Sequence, residues 1–236
     1  MRTLIKLELR RNKIQTYVTA SLIITITMLC FLYLFAYAPM LEPNDKDMAI
    51  FSGYDNLIPL FEALNMAVFC VLSAVMYSKI IIEDYSGKRP VLLFSYPVSR
   101  KKIMLAKLSV VCVFTTLSMF LSNIIVFLIF GITEKFIHLV SGKFTLSIML
   151  QVVETTLLML LITAGAGIAA AGIGFIKKSV PTTIVSAVLI ASLLCNVVAN
   201  TTCSRMAMYI FAMVMLFIGM AFTIILIKSV DAMEVE

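Results

Sequence analysis

The sequence predicts an all-α polytopic membrane protein with six transmembrane helices, from its composition, the length of its apolar stretches and the distribution of its charges. The chain is 61% hydrophobic and 14% charged, with a mean hydropathy of +1.05. A soluble domain needs more polar surface than this composition supplies. A membrane-spanning helix needs about 20 apolar residues, because the hydrocarbon core is about 30 Å thick. We therefore expect residues 1–236 to form a single transmembrane domain.

The six predicted spans lie near residues 16–38, 58–80, 108–130, 147–174, 180–200 and 206–228. Each is predicted to be an α-helix, because backbone groups in lipid must satisfy their own hydrogen bonds. The alternating ten-residue segments of a transmembrane barrel do not occur. Lys177, Lys178 and Pro181 mark the boundary between the fourth and fifth spans, and Pro181 suits the first turn of a helix.

The basic residues predict the orientation of these spans. With six spans, both termini lie on one side of the membrane, and that side carries 15 of the 19 Lys and Arg residues. The positive-inside rule therefore places both termini in the cytosol. The net charge of +6 is read as an orientation signal, and no nucleic-acid partner is expected, because the charge is divided among short inward loops.

Residues 1–14 are predicted to form an amphipathic interfacial helix. Leucines alternate there with basic residues, which would place the apolar side in lipid and the basic side among headgroups. The alternative is a positively charged flank of the first span. A signal peptide is not expected, since the apolar run is too long and no small-residue cleavage site follows it.

Residue types that carry catalysis or bind metals are sparse. His138 is the only histidine, and the five cysteines show no CxxC spacing. Asp45 and Asp47 lack the ligand order of a calcium loop. We therefore expect no catalytic residue, no metal and no cofactor in this chain.

Five polar residues lie within or near the ends of the predicted spans: Glu62, Asn65, Asn123, Glu154 and Asn196. Polar groups in lipid are costly and usually face a partner, a cavity or a pathway. They are therefore candidates for lining a substrate path. The alternative is that they reach the outer headgroups or link helices. Glu62 and Asn65, three residues apart, are expected on one helix face.

Small residues at the end of the fourth span predict close helix packing. Gly165, Gly167, Ala169 and Ala171 lie in the run AGAGIAAAGIGF, where small residues recur at intervals of four. Such faces allow helices to approach closely in lipid. A phosphate-binding loop is excluded, because no GK[ST] follows and no strand precedes the run.

The stretch 79–107 between the second and third spans is the most informative segment. It holds seven of the 19 basic residues, and Pro90 and Pro97 divide it. Ser99 is a plausible N-cap for a helix that continues into the third span. We expect two short helices near the inner membrane surface. The alternative is an interfacial segment that holds to anionic lipid.

This stretch resembles the coupling region of type-2 ABC permeases, the membrane subunits of ABC exporters. The resemblance rests on the pattern E-x-x-x-G-x-x-x-x-L-L-x-S-x-P-V-S-R and on the basic, apolar run that follows it. The six spans and cytosolic termini also match. The residues to which the resemblance assigns contact with an ATPase are Glu83, Asp84, Gly87, Ser95, Tyr96, Pro97, Val98, Ser99, Arg100, Lys101 and Lys102.

The resemblance implies an ATP-driven exporter in a bacterial plasma membrane. Cytosolic ABC ATPase subunits would bind ATP and Mg²⁺, because this chain has no P-loop and is not expected to be an enzyme. A second permease, either another copy or a sister subunit, would complete the pathway within the membrane lipids. The expected cargo is a hydrophobic or amphipathic substrate such as an antimicrobial or cytolytic peptide, which implies a role in antibiotic resistance or immunity. The alternative is a membrane immunity or sensor protein that binds a peptide without an ATPase.

Overall fold

Six long helices account for nearly all of the described chain. The structure, a computed structural model, describes residues 5, 8, 11, 14–41, 53–85, 99–137, 140, 145–201 and 205–232. The helices are α1 (Ile14–Leu41), α2 (Tyr54–Tyr77), α3 (Arg100–Ile137), α4 (Leu146–Lys177), α5 (Val180–Thr201) and α6 (Arg205–Asp231). A π-helical turn, Ser78–Ile82, extends α2. All six are long and apolar enough to cross a membrane, and the described residues contain no strand, which confirms the predicted fold class.

The helix boundaries follow the local sequence. The chain leaves α4 at Lys178, which has a left-handed backbone with φ of 47°, and α5 begins at Val180 with Pro181 in its first turn. α3 begins at Arg100, directly after Ser99, and is longer than the predicted span 108–130 at both ends. Its 38 residues make it about 57 Å long, so it extends beyond the hydrocarbon core.

α4 is the central helix of the bundle. It packs most extensively against α6, and α2 packs against both α4 and α5. Gly165 allows a close approach of α4 to the backbone of α6, because a Cβ atom there would lie 2.3 Å from the carbonyl oxygen of Met215. Gly219 of α6 faces the same point, since a Cβ on it would lie 3.0 Å from the Cα of Gly165. The two backbones therefore meet through paired glycines.

The outer helices leave large apolar side chains exposed. Only 17% of the apolar window of α1 and 22% of that of α6 are buried within the chain, against 61% for α2 and for α4. Exposed Ile23 and Ile26 of α1 and Phe217 of α6 are typical of surfaces that face lipid. Most of the predicted interfacial helix 1–14 lies outside the described residues. Within it, the structure describes only Ile5, Glu8, Arg11 and Ile14.

Candidate functional site

Four charged groups meet at the membrane face from which the chain leaves α2 and enters α3. We name them the basal network: Glu8, Arg11, Asp84 and Lys107. Lys107 is 0% exposed, and its ammonium donates to the carboxylate of Asp84 and, at 2.9 Å, to the carbonyl of Ile80. Its Nζ also lies 3.5 Å from Glu8 Oε1. A buried ammonium with this many acceptors is compensated in charge and in hydrogen bonding.

The basal network joins three parts of the chain. Arg11 donates to Asp84 and lies 3.8 Å from Glu8, so the N-terminal segment contacts the end of α2. Lys107 lies two turns into α3. The segment between Asp84 and Lys107 is therefore anchored at both ends. Burial raises the pKa of the adjacent Tyr85, and the carboxylates of Asp84 and Glu8 raise it further.

The surface beyond this network is basic and partly exposed. Lys101 and Lys102 in the first turn of α3 are exposed, and Lys101 forms a 3.0 Å ion pair with Asp231, both side chains being about half exposed. Glu83 pairs with Lys79 at 2.9 Å, one helical turn away. Of the residues predicted to contact an ATPase, Gly87, Ser95, Tyr96, Pro97 and Val98 lie outside the described residues. The other predicted residues lie at or beside this surface: Glu83, Asp84, Ser99, Arg100, Lys101 and Lys102. Their contact with an ATPase stays a prediction.

A second polar group lies inside the membrane-spanning part, between α2, α3 and α4. We name it the intramembrane network: Glu62, Asn65, Asn123 and Thr156, each at most 2% exposed. One Glu62 oxygen accepts from Thr156 at 2.6 Å, and the other accepts from Asn123 at 2.8 Å. Asn65 donates to the Asn123 side-chain oxygen.

The geometry of the intramembrane network is that of a link between helices. Glu62 and Asn65 lie on one face of α2, as their spacing predicts, and both are turned toward α3. No described Lys, Arg or His forms an ion pair with Glu62, while the side-chain oxygen of Asn65 is buried without a hydrogen-bond partner among the described residues. Among the described residues, Asn123 and Thr156 border a small cavity of about 50 Å³ between α3 and α4.

The other two predicted path residues lie elsewhere. Asn196 is exposed on α5, and its amide donates to the Ser192 carbonyl at 3.0 Å. Glu154 of α4 accepts from the Tyr209 hydroxyl and lies 3.8 Å from Arg205. The five residues proposed from the sequence as one pathway therefore occupy three separate places, and their role in transport stays a prediction.

Glu154 borders an open space in the described part of the chain. Two adjoining cavities, of about 530 and 270 Å³, share the lining residues Asp55, Gln151, Glu154 and Arg205. We name this space the outer cavity, because the predicted orientation places it at the outer face. It lies among the first turns of α2, α4 and α6. These three helices begin at the same face, because successive spans alternate in direction.

Sequence reasoning missed Glu8, Lys107 and Thr156 as members of these networks. Lys107 was counted only as a loop charge. Its partner Asp84 is 23 residues away and Glu8 is 99 residues away, so no local spacing could reveal them. The described residues also contain no group of three His, Cys, Asp or Glu side chains that could hold a metal ion.

These features define a polytopic membrane protein with a loop anchored at one face and a polar cavity at the other. The chain belongs to the ABC-2 family of transporter proteins, whose sequence pattern it matches over residues 4–192. Members of this family are membrane components of ABC transporters, in which the ATPase is a separate subunit.

One relative is an uncharacterized protein, YcbO, from Bacillus subtilis. It is 31% identical to this chain over 191 residues, which are 81% of this chain and 82% of the relative. No solved structure matches the chain. The family and the six apolar helices establish an integral membrane protein, and the relative indicates a bacterial source. The predicted resemblance to ABC permeases is thereby confirmed.

Proposed function

We propose that this permease is the membrane subunit of an ATP-driven exporter of a hydrophobic or amphipathic substrate, such as an antimicrobial or cytolytic peptide. It would act with a second permease and with cytosolic ABC ATPases that dock on the segment between α2 and α3. Family membership supports the permease role.

The observation that carries the proposal is the anchoring of the segment between Asp84 and Lys107. Here both ends of the segment are held by the buried ammonium of Lys107, which also contacts Glu8 of the N-terminal segment. A displacement of the segment would therefore move the cytosolic ends of α2 and α3 together.

The length of α3 supports transmission of this displacement across the membrane. Helix α3 is continuous from Arg100 at the docking face to Ile137 beyond the other face. In its outer half it carries Asn123, which is hydrogen-bonded to Glu62 of α2. A tilt of α3 would thus be passed to α2 at two levels, the basal network and the intramembrane network.

Charge favours an acidic docking surface on the ATPase. Lys101 and Lys102 are exposed at the start of α3. Exposed charges of this kind steer association and set its salt dependence more than they add affinity. The partner is therefore expected to carry an acidic groove.

Co-purification tests the partnership. The full chain, carrying an affinity tag, is expressed together with a candidate ABC ATPase subunit. Lys101→Glu/Lys102→Glu is expected to reduce the recovered ATPase at least fivefold, because charge repulsion replaces attraction. Lys177→Glu/Lys178→Glu is the matched control, since it makes the same charge change at the exposed end of α4, at the same face.

Two results would contradict the proposal. Equal loss of ATPase from both double variants would show a general charge effect without local docking. Failure of the unmodified chain to recover any ATPase would favour the immunity or sensor protein that needs none.

Transport in sealed vesicles tests direction and cargo. Inside-out vesicles containing permease and ATPase are expected to accumulate a labelled amphipathic peptide when ATP is added outside. ATP-dependent accumulation in right-side-out vesicles loaded with ATP, without accumulation in inside-out vesicles, would mean import.

A further inference from the structure

The outer cavity contains charges of both signs at its rim. Arg205 is 76% exposed, and its 3.8 Å distance to Glu154 makes a loose ion pair. Exposed pairs at such distances contribute little and are easily exchanged. Asp55, in the first turn of α2, lines both parts of the cavity and forms no ion pair among the described residues. The rim can therefore receive a group that carries a cation and an anion together.

The lining beneath this rim includes several apolar side chains. Pro59, Leu158 and Met208 line the part of the cavity that also contains Tyr209. Leu158 lies one helical turn below Glu154 along α4, toward the membrane centre. A ligand seated here would meet charged groups at one end and hydrocarbon at the other.

The position of the cavity narrows the class of ligand. The first turns of α2, α4 and α6 mark the end of the membrane-spanning segments at one face, where phospholipid headgroups lie. A phospholipid with a primary ammonium has a cation and an anion a few ångströms apart above apolar chains. This arrangement matches the order of groups in the cavity.

We propose that the outer cavity binds the headgroup of an aminophospholipid, with Arg205 on its phosphate and with Asp55 and Glu154 on its ammonium. Arg binds phosphate oxygens through its fork of N–H donors. A primary ammonium donates three hydrogen bonds to carboxylates, whereas a trimethylammonium group donates none. The cavity should therefore favour phosphatidylethanolamine over phosphatidylcholine and over the anionic phosphatidylglycerol.

Native mass spectrometry of the delipidated full chain tests this assignment. The protein is offered phosphatidylethanolamine, phosphatidylcholine and phosphatidylglycerol with identical acyl chains. The first is expected to bind about tenfold more tightly than the other two, the lower end of the effect of one hydrogen bond to a charged group. Its N-methyl and N,N-dimethyl derivatives should bind progressively less, and this series needs no variant protein.

Variants then locate the site. Asp55→Asn/Glu154→Gln should reduce the affinity for phosphatidylethanolamine to that for phosphatidylcholine. Arg205→Gln should weaken binding of all three lipids. Asp231→Asn, which removes an exposed carboxylate at the opposite face, is the matched control and should change nothing.

Equal binding of the three lipids by the unmodified chain would overturn the proposal, as would a preference that survives Asp55→Asn/Glu154→Gln. No ATPase is present in this experiment. Its outcome is therefore independent of whether the ATPase partnership proposed above holds.

Discussion

Replacement of Lys107 by methionine tests the basal network most directly. Methionine keeps the length and most of the volume of lysine, so the substitution removes the ammonium without opening a large cavity. It deletes the contacts with Asp84, Ile80 and Glu8. The Asp84 carboxylate, 9% exposed, then remains buried, with Arg11 as its one remaining cationic partner among the described residues.

The expected cost follows from this geometry. Removing one partner of a buried ion pair costs about 3–5 kcal/mol, because the other charge is left uncompensated. Arg11 remains on Asp84 and lowers the cost, so we expect a loss of about 3 kcal/mol in the free energy of unfolding. Lys101→Met is the matched control. Its half-exposed pair with Asp231 should contribute less than about 1 kcal/mol.

Steric trapping of the full chain in lipid bicelles measures these free energies. The double variant Asp84→Asn/Lys107→Met should lose less free energy of unfolding than Asp84→Asn and Lys107→Met lose together. The difference should exceed about 1 kcal/mol, because neither charge of the pair is left without its partner. The reasoning is refuted if Lys107→Met is as mild as Lys101→Met, or if the two single effects add to within about 0.5 kcal/mol.

Three further substitutions test the helix contacts by the same measurement. Gly165→Ala should cost about 3 kcal/mol, since its Cβ would meet a backbone carbonyl of α6 at 2.3 Å, and a cost below about 1 kcal/mol would contradict this packing. Gly167→Ala should cost less, because its Cβ meets the Ser73 hydroxyl, which can rotate. Adding Ser73→Ala should restore part of the lost free energy of unfolding, and no recovery would argue against this contact. Glu62→Gln should cost about 1–2 kcal/mol, because an amide has one acceptor oxygen where the Asn123 and Thr156 donors require two; unchanged stability would show that only one oxygen accepts.

The sequence predicted the number and type of the elements well, for a physical reason. Lipid requires each span to satisfy its own backbone, so length and hydropathy alone determine where helices occur. Helix ends were also readable where chemistry is local, as at Pro181 in the first turn of α5 and at Ser99 before α3. The spacing of Glu62 and Asn65 likewise placed both on one face of α2.

The partners of these residues were not readable from the sequence. Glu62 meets Asn123 and Thr156 at separations of 61 and 94 residues, and helical periodicity carries no information over such distances. Glu154 is also a glutamate predicted in the outer half of its span, yet it lies at a cavity with Arg205 and Tyr209. Which neighbouring helix a polar side chain faces depends on how the helices pack.

By itself the sequence determined that this chain crosses a membrane six times, and it predicted which face carries the basic segment. Both follow from the solvent, because hydrocarbon rejects polar backbone and the charges of short loops set orientation. Only the tertiary structure decided that Lys107 is buried as an anchor rather than exposed as a loop charge. It also decided that the intramembrane polar residues divide between a closed network and an open cavity, since both depend on contacts between residues far apart in the chain.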